Sequence, residues 1–312
     1  MLSRRLLRIK VLKALYAHLK SESNNPAASE KSLMLAVDKT YDLYVHLFGL
    51  AVEVARYAEE RQEIALQKKL PTYEDLNPNR RFVQNSVIRL LAGSEAVNDF
   101  TARRKLSWSG ERELIKTLYN QLIEADYYKA YMSAPECGFK EDLQVVKEFF
   151  TNEPEACDLL EEVLEEQSVM WRDDLGFALL MVLRTLSNLR RTSTDVRLLA
   201  EYKNDDDPQF LRSLFRLTLD NYADDQQTIG SLTDNWEVDR IAFMDGLIMS
   251  MAMTELRSFP SIPVKVTLDE YIEISKYYST AGSAQFINGI LDKVVERFTD
   301  EGLINKSGLG LM

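Results

Sequence analysis

"RSFPSIPVKVTLDEYIEISKYYSTAGSAQFINGILDKV", residues 257–294, carries more local instruction than any other part of the chain. Pro260 and Pro263 forbid a helix from continuing past Leu256, because proline lacks an amide donor and restricts the residue before it. The chain is therefore expected to cross extended through "SIPVKV". Thr267 then opens a capping box with Glu270, Asp269 adds negative charge at the positive end of the helix dipole, and Val266 faces Tyr271 as a hydrophobic staple. Ser283 stands where it can cap a last helix, in which Ile287, Ile290, Leu291, Val294 and Phe298 form one apolar face. Phe286 lies at the edge of that face, in line with Gly289, Lys293 and Arg297. An aromatic beside two cations and a small residue suits base stacking, and it equally suits edge-of-core packing against a neighbouring helix.

Outward from this stretch the pattern stays helical. In 312 residues there are only 12 glycines and 8 prolines, and this composition favours an all-α protein of two domains. Apolar periodicity predicts helices over Ser3–Lys20, Ser32 to about Leu70 (as one or two), Arg81–Leu91, Ser109–Met132, Lys140–Thr151, Pro154–Glu166 and Trp171–Arg190. Two more are expected over 208–223 and 235–256, after the polar break "EYKNDDDPQ". No strand pattern of useful length occurs. Trp108 and Trp236 each precede an arginine by four residues, Arg112 and Arg240, a match too short to establish a repeat. Met244, Met249, Met251 and Met253 are read as adaptable core packing.

Several function classes find nothing to work with. The longest apolar run, Phe243–Met253, is interrupted by Asp245 and too short to span a bilayer, so a soluble cytoplasmic protein is expected. Cys137 and Cys157 are read as buried free thiols, and His18 and His46 have no partner at metal-ligand spacing, so no metal or cofactor site is expected. No phosphate-binding loop, dinucleotide fingerprint or nucleophile elbow is present, and Glu161, Glu162, Glu165 and Glu166 read as a solvated helix face. The chain is not expected to be an enzyme.

Charge is segregated. Residues 1–20 carry Arg4, Arg5, Arg8, Lys10, Lys13 and Lys20 and no acid, so of a net charge of −11 the other 292 residues hold −17. On a helical wheel Arg4, Arg5 and Arg8 occupy the sector that Leu12, Leu15 and Leu19 occupy later. A sector that is arginine is expected to stay out of the core, so the first two turns should project as a cationic prong whose removal leaves stability nearly unchanged. The prong reads either as a solubilising start or as a nucleic-acid arm.

Four blocks, "RRLLRIKVLKALYAHL", "FLRSLFRLTLDNY", "WEVDRIAFMDGLIMSMAMTELRSFPSIPVKVTLDEYIEISKYYS" and "SAQFINGILDKV", resemble in matching order the NusB family of transcription antitermination factors. The run Phe286–Lys293 is the most specific of them. The resemblance covers about residues 1–20 and 205–304, which implies NusB-like helical bundles: residues 1–20 as the basic first helix, 21–204 as a large all-helical insertion, and 205–312 as the remainder. It implies a non-enzymatic, RNA-binding antitermination role. The partners implied are boxA-like single-stranded RNA of ribosomal transcripts, the ribosomal protein NusE and the RNA polymerase antitermination complex. By position, it assigns RNA contact to Arg4, Arg5, Arg8, Tyr16, Lys265 and Phe286, with Lys293 beside them, and the NusE surface to Asp245. One departure is Gly282, where some relatives carry an acidic residue.

Other readings remain. A helical scaffold without RNA binding would leave the three arginines without a purpose. A NusB-like module of an RNA cytosine methyltransferase would need a glycine-rich cofactor domain and a catalytic cysteine motif, neither of which is visible. A helical enzyme would need a convergent polar site.

Overall fold

The computed structural model describes residues 1–21, 25–233 and 241–307. Among these residues the regular elements are helices, and no strand element occurs. In order they are α1 (Arg4–Lys20), α2 (Pro26–Leu66), α3 (Tyr73–Leu76), α4 (Ser86–Gly93), α5 (Glu95–Arg104), α6 (Arg112–Glu124), α7 (Asp126–Ser133), α8 (Phe139–Asn152), α9 (Asp158–Gln167), α10 (Leu175–Ser187), α11 (Asp207–Leu232), α12 (Phe243–Ser258), α13 (Val264–Tyr278) and α14 (Ser283–Asp300). The chain divides into two compact units. One comprises Met1–Leu2 with Asp38–Glu201, and the other the described residues of Ser3–Val37 and Tyr202–Met312.

The second unit is built around α12. Its sequence "MDGLIMSMAMTEL" is apolar on every side, and every residue from Asp245 to Leu256 is buried beneath α1, α11, α13 and α14. Met249, Met251 and Met253 are wholly enclosed, as adaptable core residues should be. α11 starts at Asp206–Asp207 with Pro208 in its first turn, and the buried Asp207 carboxylate accepts the amides of Lys203 (3.1 Å) and Asn204 (2.9 Å).

Two starts differ from the sequence reading. α13 begins at Val264 after Pro263, a turn earlier than a Thr267 cap would place it; a proline with φ −59° is already set for helix entry and gives up no needed donor. Thr267 is buried inside the first turns, and its hydroxyl donates to Glu255 Oε1 at 2.8 Å instead of capping. Ser283 is not the cap of α14 but its first residue. The cap is Gly282, in the left-handed region at φ 92°, a conformation that favours glycine at the position where some relatives carry an acid.

In the unit of Asp38–Glu201, the core face of α2 buries Leu43, Tyr44, Leu47, Phe48 and Val54. The Trp108 indole stacks flat on His46 with centroids 3.9 Å apart and donates to the His46 carbonyl at 2.9 Å. Gly49 makes this possible, since a Cβ there would lie 2.9 Å from Trp108 Cδ1. Burial pushes the His46 imidazole down to about 4, so it is neutral at physiological pH. α5 was not anticipated because "EAVNDFTARR" buries only Val97, and the predicted 109–132 helix breaks at Ala125 into α6 and α7. Cys157 is buried as expected, whereas Cys137 is exposed. Trp236, Arg240 and the first part of the predicted 235–256 helix lie outside the described residues.

Glu201 is pushed up to about 7, chiefly by burial and then by the charge and hydrogen bonding of Asp38, with Arg104 opposing. Its folded pKa exceeds the unfolded value of 4.5, so the native state holds the proton more tightly. Stability from this group is complete below the unfolded value and is lost as pH rises through about 7. Glu201→Gln should therefore raise the melting temperature at pH above 7 and leave it unchanged near the unfolded pKa. Equal shifts at both pH values would show that charge on Glu201 is not the cause.

Candidate nucleic-acid interface

The three arginines at the start of α1 do not project. Leu6 and Leu7 are buried alongside them, so the helix joins the core from its first turn. Arg8 is 2% exposed, and it forks onto Glu255 of α12, with Nε and Nη2 each 2.8 Å from a carboxylate oxygen. Glu255 also accepts from Thr267 Oγ1 (2.8 Å) and Tyr271 Oη (3.2 Å), and Glu270 lies 3.7 Å from Arg8 Nη1. Burial alone would lower the Arg8 pKa, but the hydrogen bonds and charge of Glu255 hold it above its ordinary value. The expected projecting prong is absent because a buried carboxylate with matching hydrogen bonds permits an arginine to enter the core, as Glu255 does for Arg8. Arg8 cannot reach RNA from this position.

Arg4 is held by Asp206 (2.8 Å) and Asp207 (3.0 Å), with its guanidinium 5.2 Å from the Phe210 ring centroid. Arg5 makes a bidentate pair with Glu270, at 2.9 and 3.0 Å, but its side chain is 45% exposed. A solvent-facing pair of this kind contributes little stability. Arg5 can exchange Glu270 for a phosphate where Arg8 cannot exchange Glu255. Lys265 is exposed on the first turn of α13, the helix that carries Glu270.

Tyr16 lies elsewhere, roughly 16 Å along α1 from Arg5 at 1.5 Å per residue. Here α1 ends against the start of α12. Tyr16 is 42% exposed and meets the Phe243 ring edge-on at 5.7 Å, while Lys20 Nζ lies 4.0 Å from the same ring's centroid. Tyr222 approaches Phe243 at 6.4 Å, and Lys13 Nζ lies 5.7 Å from the Tyr278 centroid. Phe286 is partly exposed in the first turn of α14, a turn held to the start of α12 by the bond from Ser283 to Asp245. Lys20 and Phe243 escaped the sequence reading as a pair: they are far apart in the chain, and nothing local marks their encounter. Lys293 is exposed further along α14, with Nζ donating to the Leu232 carbonyl at 3.0 Å, beside Arg297, which donates to Ser231 Oγ.

Asp245 is not on a surface. It is 6% exposed, and its carboxylate accepts from the Ser279 hydroxyl and from Ser283 Oγ at 2.9 Å. It braces the start of α12 against the α13–α14 corner. The predicted residues thus separate into an ion-paired arginine end and an aromatic end of one helical unit. Among the described residues no group of His, Cys, Asp and Glu is placed to hold a metal, and no helix is long and apolar enough to cross a membrane.

Comparison with known proteins identifies relatives of the chain. The NusB family model matches residues 178–296. A transcription antitermination protein NusB from Salinibacter ruber is 39% identical over 138 residues, which cover 42% of this chain and 86% of that protein. The protein of the same name from Chloroherpeton thalassium is 37% identical over 103 residues, covering 33% of this chain and 49% of the relative. A solved structure, T. maritima NusB, is 26% identical over 43% of this chain and 84% of its own, with a TM-score of 0.29, too low for the superposition to carry an argument.

Proposed function

The chain belongs to the NusB family, and from that footing we propose that it is a non-enzymatic transcription antitermination factor of the cytoplasm. It binds boxA-like single-stranded RNA of ribosomal transcripts together with the ribosomal protein NusE, within the RNA polymerase antitermination complex. The unit built from Ser3–Val37 and Tyr202–Met312 carries this role, and in the unit of Asp38–Glu201 residues 38–177 lie outside the family match and form an added helical part.

The observation that carries the reading is the aromatic corner, where the Lys20 ammonium lies 4.0 Å from the Phe243 centroid and the exposed Tyr16 ring meets the same phenyl. Single-stranded RNA is bound by stacking on aromatic faces beside cations that track the backbone, and this corner offers both in a chain whose net charge is −11. The RNA-facing residues under this reading are Arg5, Tyr16, Lys20, Phe243, Lys265, Phe286 and Lys293. Arg4 takes part only by leaving its two aspartates, and Arg8 takes no part.

Phe286→Ala tests the reading directly. Loss of one stacked base costs about 1–3 kcal/mol, so affinity for a boxA-like strand should fall by roughly tenfold or more in an anisotropy titration, with and without NusE. Unchanged affinity would remove Phe286 from the interface, and absence of RNA binding by the unaltered chain with NusE present would overturn the function.

A further inference from the structure

In the unit of Asp38–Glu201, Arg56, Arg80, Arg104, Arg112 and Arg172 each meet a carboxylate. The stretch from the end of α10 through the loop beyond it is instead dense in arginines that do not. Residues 184–197 hold Arg184, Arg190, Arg191 and Arg197 against the single acid Asp195. All four arginines are exposed, and among the described residues no carboxylate lies within ion-pair distance of any of them. Asp195 is committed elsewhere: it accepts from Ser94 Oγ at 2.5 Å and from the Ala96 amide at the start of α5. In a chain of net charge −11, four exposed guanidinium groups within fourteen residues of sequence, without carboxylates among the described residues, make this stretch locally cationic.

The loop that presents them is fixed. Ser193 N–H donates to the Arg190 carbonyl at 2.9 Å, and Arg190 N–H donates to Ser193 Oγ at 3.0 Å, closing a tight turn. Val196 is buried, and Asp195 ties the loop to Ser94. Arg190 Nη1 donates to the carbonyls of Ser187 (3.1 Å) and Leu189 (2.9 Å), so this one arginine also closes the C-terminal end of α10. Capping accounts for Arg190 alone and leaves the other three unexplained.

We propose that Arg184, Arg191 and Arg197, with the hydroxyls of Thr192 and Thr194 between them, form an RNA-backbone contact on this unit, separate from the aromatic corner. The inference rests on the RNA-binding reading given above. Two features favour RNA over an acidic protein. Guanidinium forks match phosphate oxygens bidentately, and threonine hydroxyls are ordinary phosphate donors. The loop also lacks the apolar anchor that a protein interface buries at its centre, since Leu189 and Val196 face inward. Leu180, exposed one turn before Arg184, offers a single aliphatic group and no more.

The test uses the full chain, a short single-stranded uridine oligonucleotide and a salt series. Replacing Arg184, Arg191 and Arg197 together by alanine should lower the slope of log affinity against log salt by about 2, at roughly 0.7 per phosphate contact, with the melting temperature unchanged. The triple lysine variant should keep the slope. Phe286→Ala should weaken binding without changing the slope, because stacking carries no charge. If the unaltered chain binds but the alanine triple keeps its full slope, the patch is overturned and the functional reading stands. If the unaltered chain binds no RNA at any salt, both fall. Displacement of the RNA from the patch by poly-glutamate at equal charge concentration would assign it to an acidic protein and overturn the proposal.

Discussion

Arg8→Ala should lower unfolding stability by about 3–5 kcal/mol, the usual consequence of leaving one member of a buried ion pair behind. Glu255 is fully enclosed; besides Arg8 its carboxylate accepts from the hydroxyls of Thr267 and Tyr271, and the Lys306 ammonium reaches only its backbone carbonyl, at 3.1 Å. Without the guanidinium those hydroxyls cannot compensate its charge. Arg8→Lys should recover only part of the loss, because an ammonium cannot supply the two parallel donors at 2.8 Å that engage both carboxylate oxygens. Replacing Arg8 and Glu255 together by methionine and leucine should recover most of it, since an apolar pair leaves no charge to desolvate. Urea unfolding of the four variants decides the matter. A variant Arg8→Ala that kept full stability but lost RNA affinity would restore the projecting arm and sink the buried-pair account.

Asp245→Ala is the second large effect. Two hydroxyls donate to a carboxylate that is 6% exposed, and hydrogen bonds to a charged group contribute about 1.5–3 kcal/mol each, so a total loss of roughly 3 kcal/mol is expected. The carboxylate also lies in the first turn of α12, where negative charge favours the helix dipole. Ser283→Ala should cost about half as much, and in the double variant the two losses should not add. If the chain pairs with NusE as proposed, the Asp245→Ala variant should keep its affinity below the melting transition, because the carboxylate is buried and bonded within the unit. A variant of normal stability with weakened NusE binding would return Asp245 to the interface.

Both results turn on residues whose type was plain and whose placement was not. Arg8 and Asp245 are charged, stand near helix ends and match positions of a resembling family, and every one of those facts is local. Their partners Glu255 and Ser283 lie 247 and 38 residues away. The capping box misled for a related reason: Thr267 has the right neighbours for a cap, but Pro263 starts the helix a turn earlier, and the Thr267 hydroxyl, inside the helix, donates to the distant Glu255 instead. Apolar periodicity, by contrast, located α1 and α8 to within a residue or two and found α2, though six residues late at its start and without deciding between one helix and two, because burial of one face dictates a helix wherever it packs.

The sequence by itself determined that the protein is all-helical, that its basic charge is concentrated at the start, and that Phe286 and Gly289 stand on one stripe of α14. These depend on composition and on the 3.6-residue period, which need no knowledge of the neighbours. Only the tertiary structure decided which charges are free. It set Arg8 against Glu255 in the core, left Arg5 on the surface, brought Lys20 to Phe243, and left Arg184, Arg191 and Arg197 without carboxylates among the described residues. Whether a cation binds RNA or holds the fold together depends on the local solvent and on the acid beside it, and a folded chain fixes both through residues hundreds of positions apart.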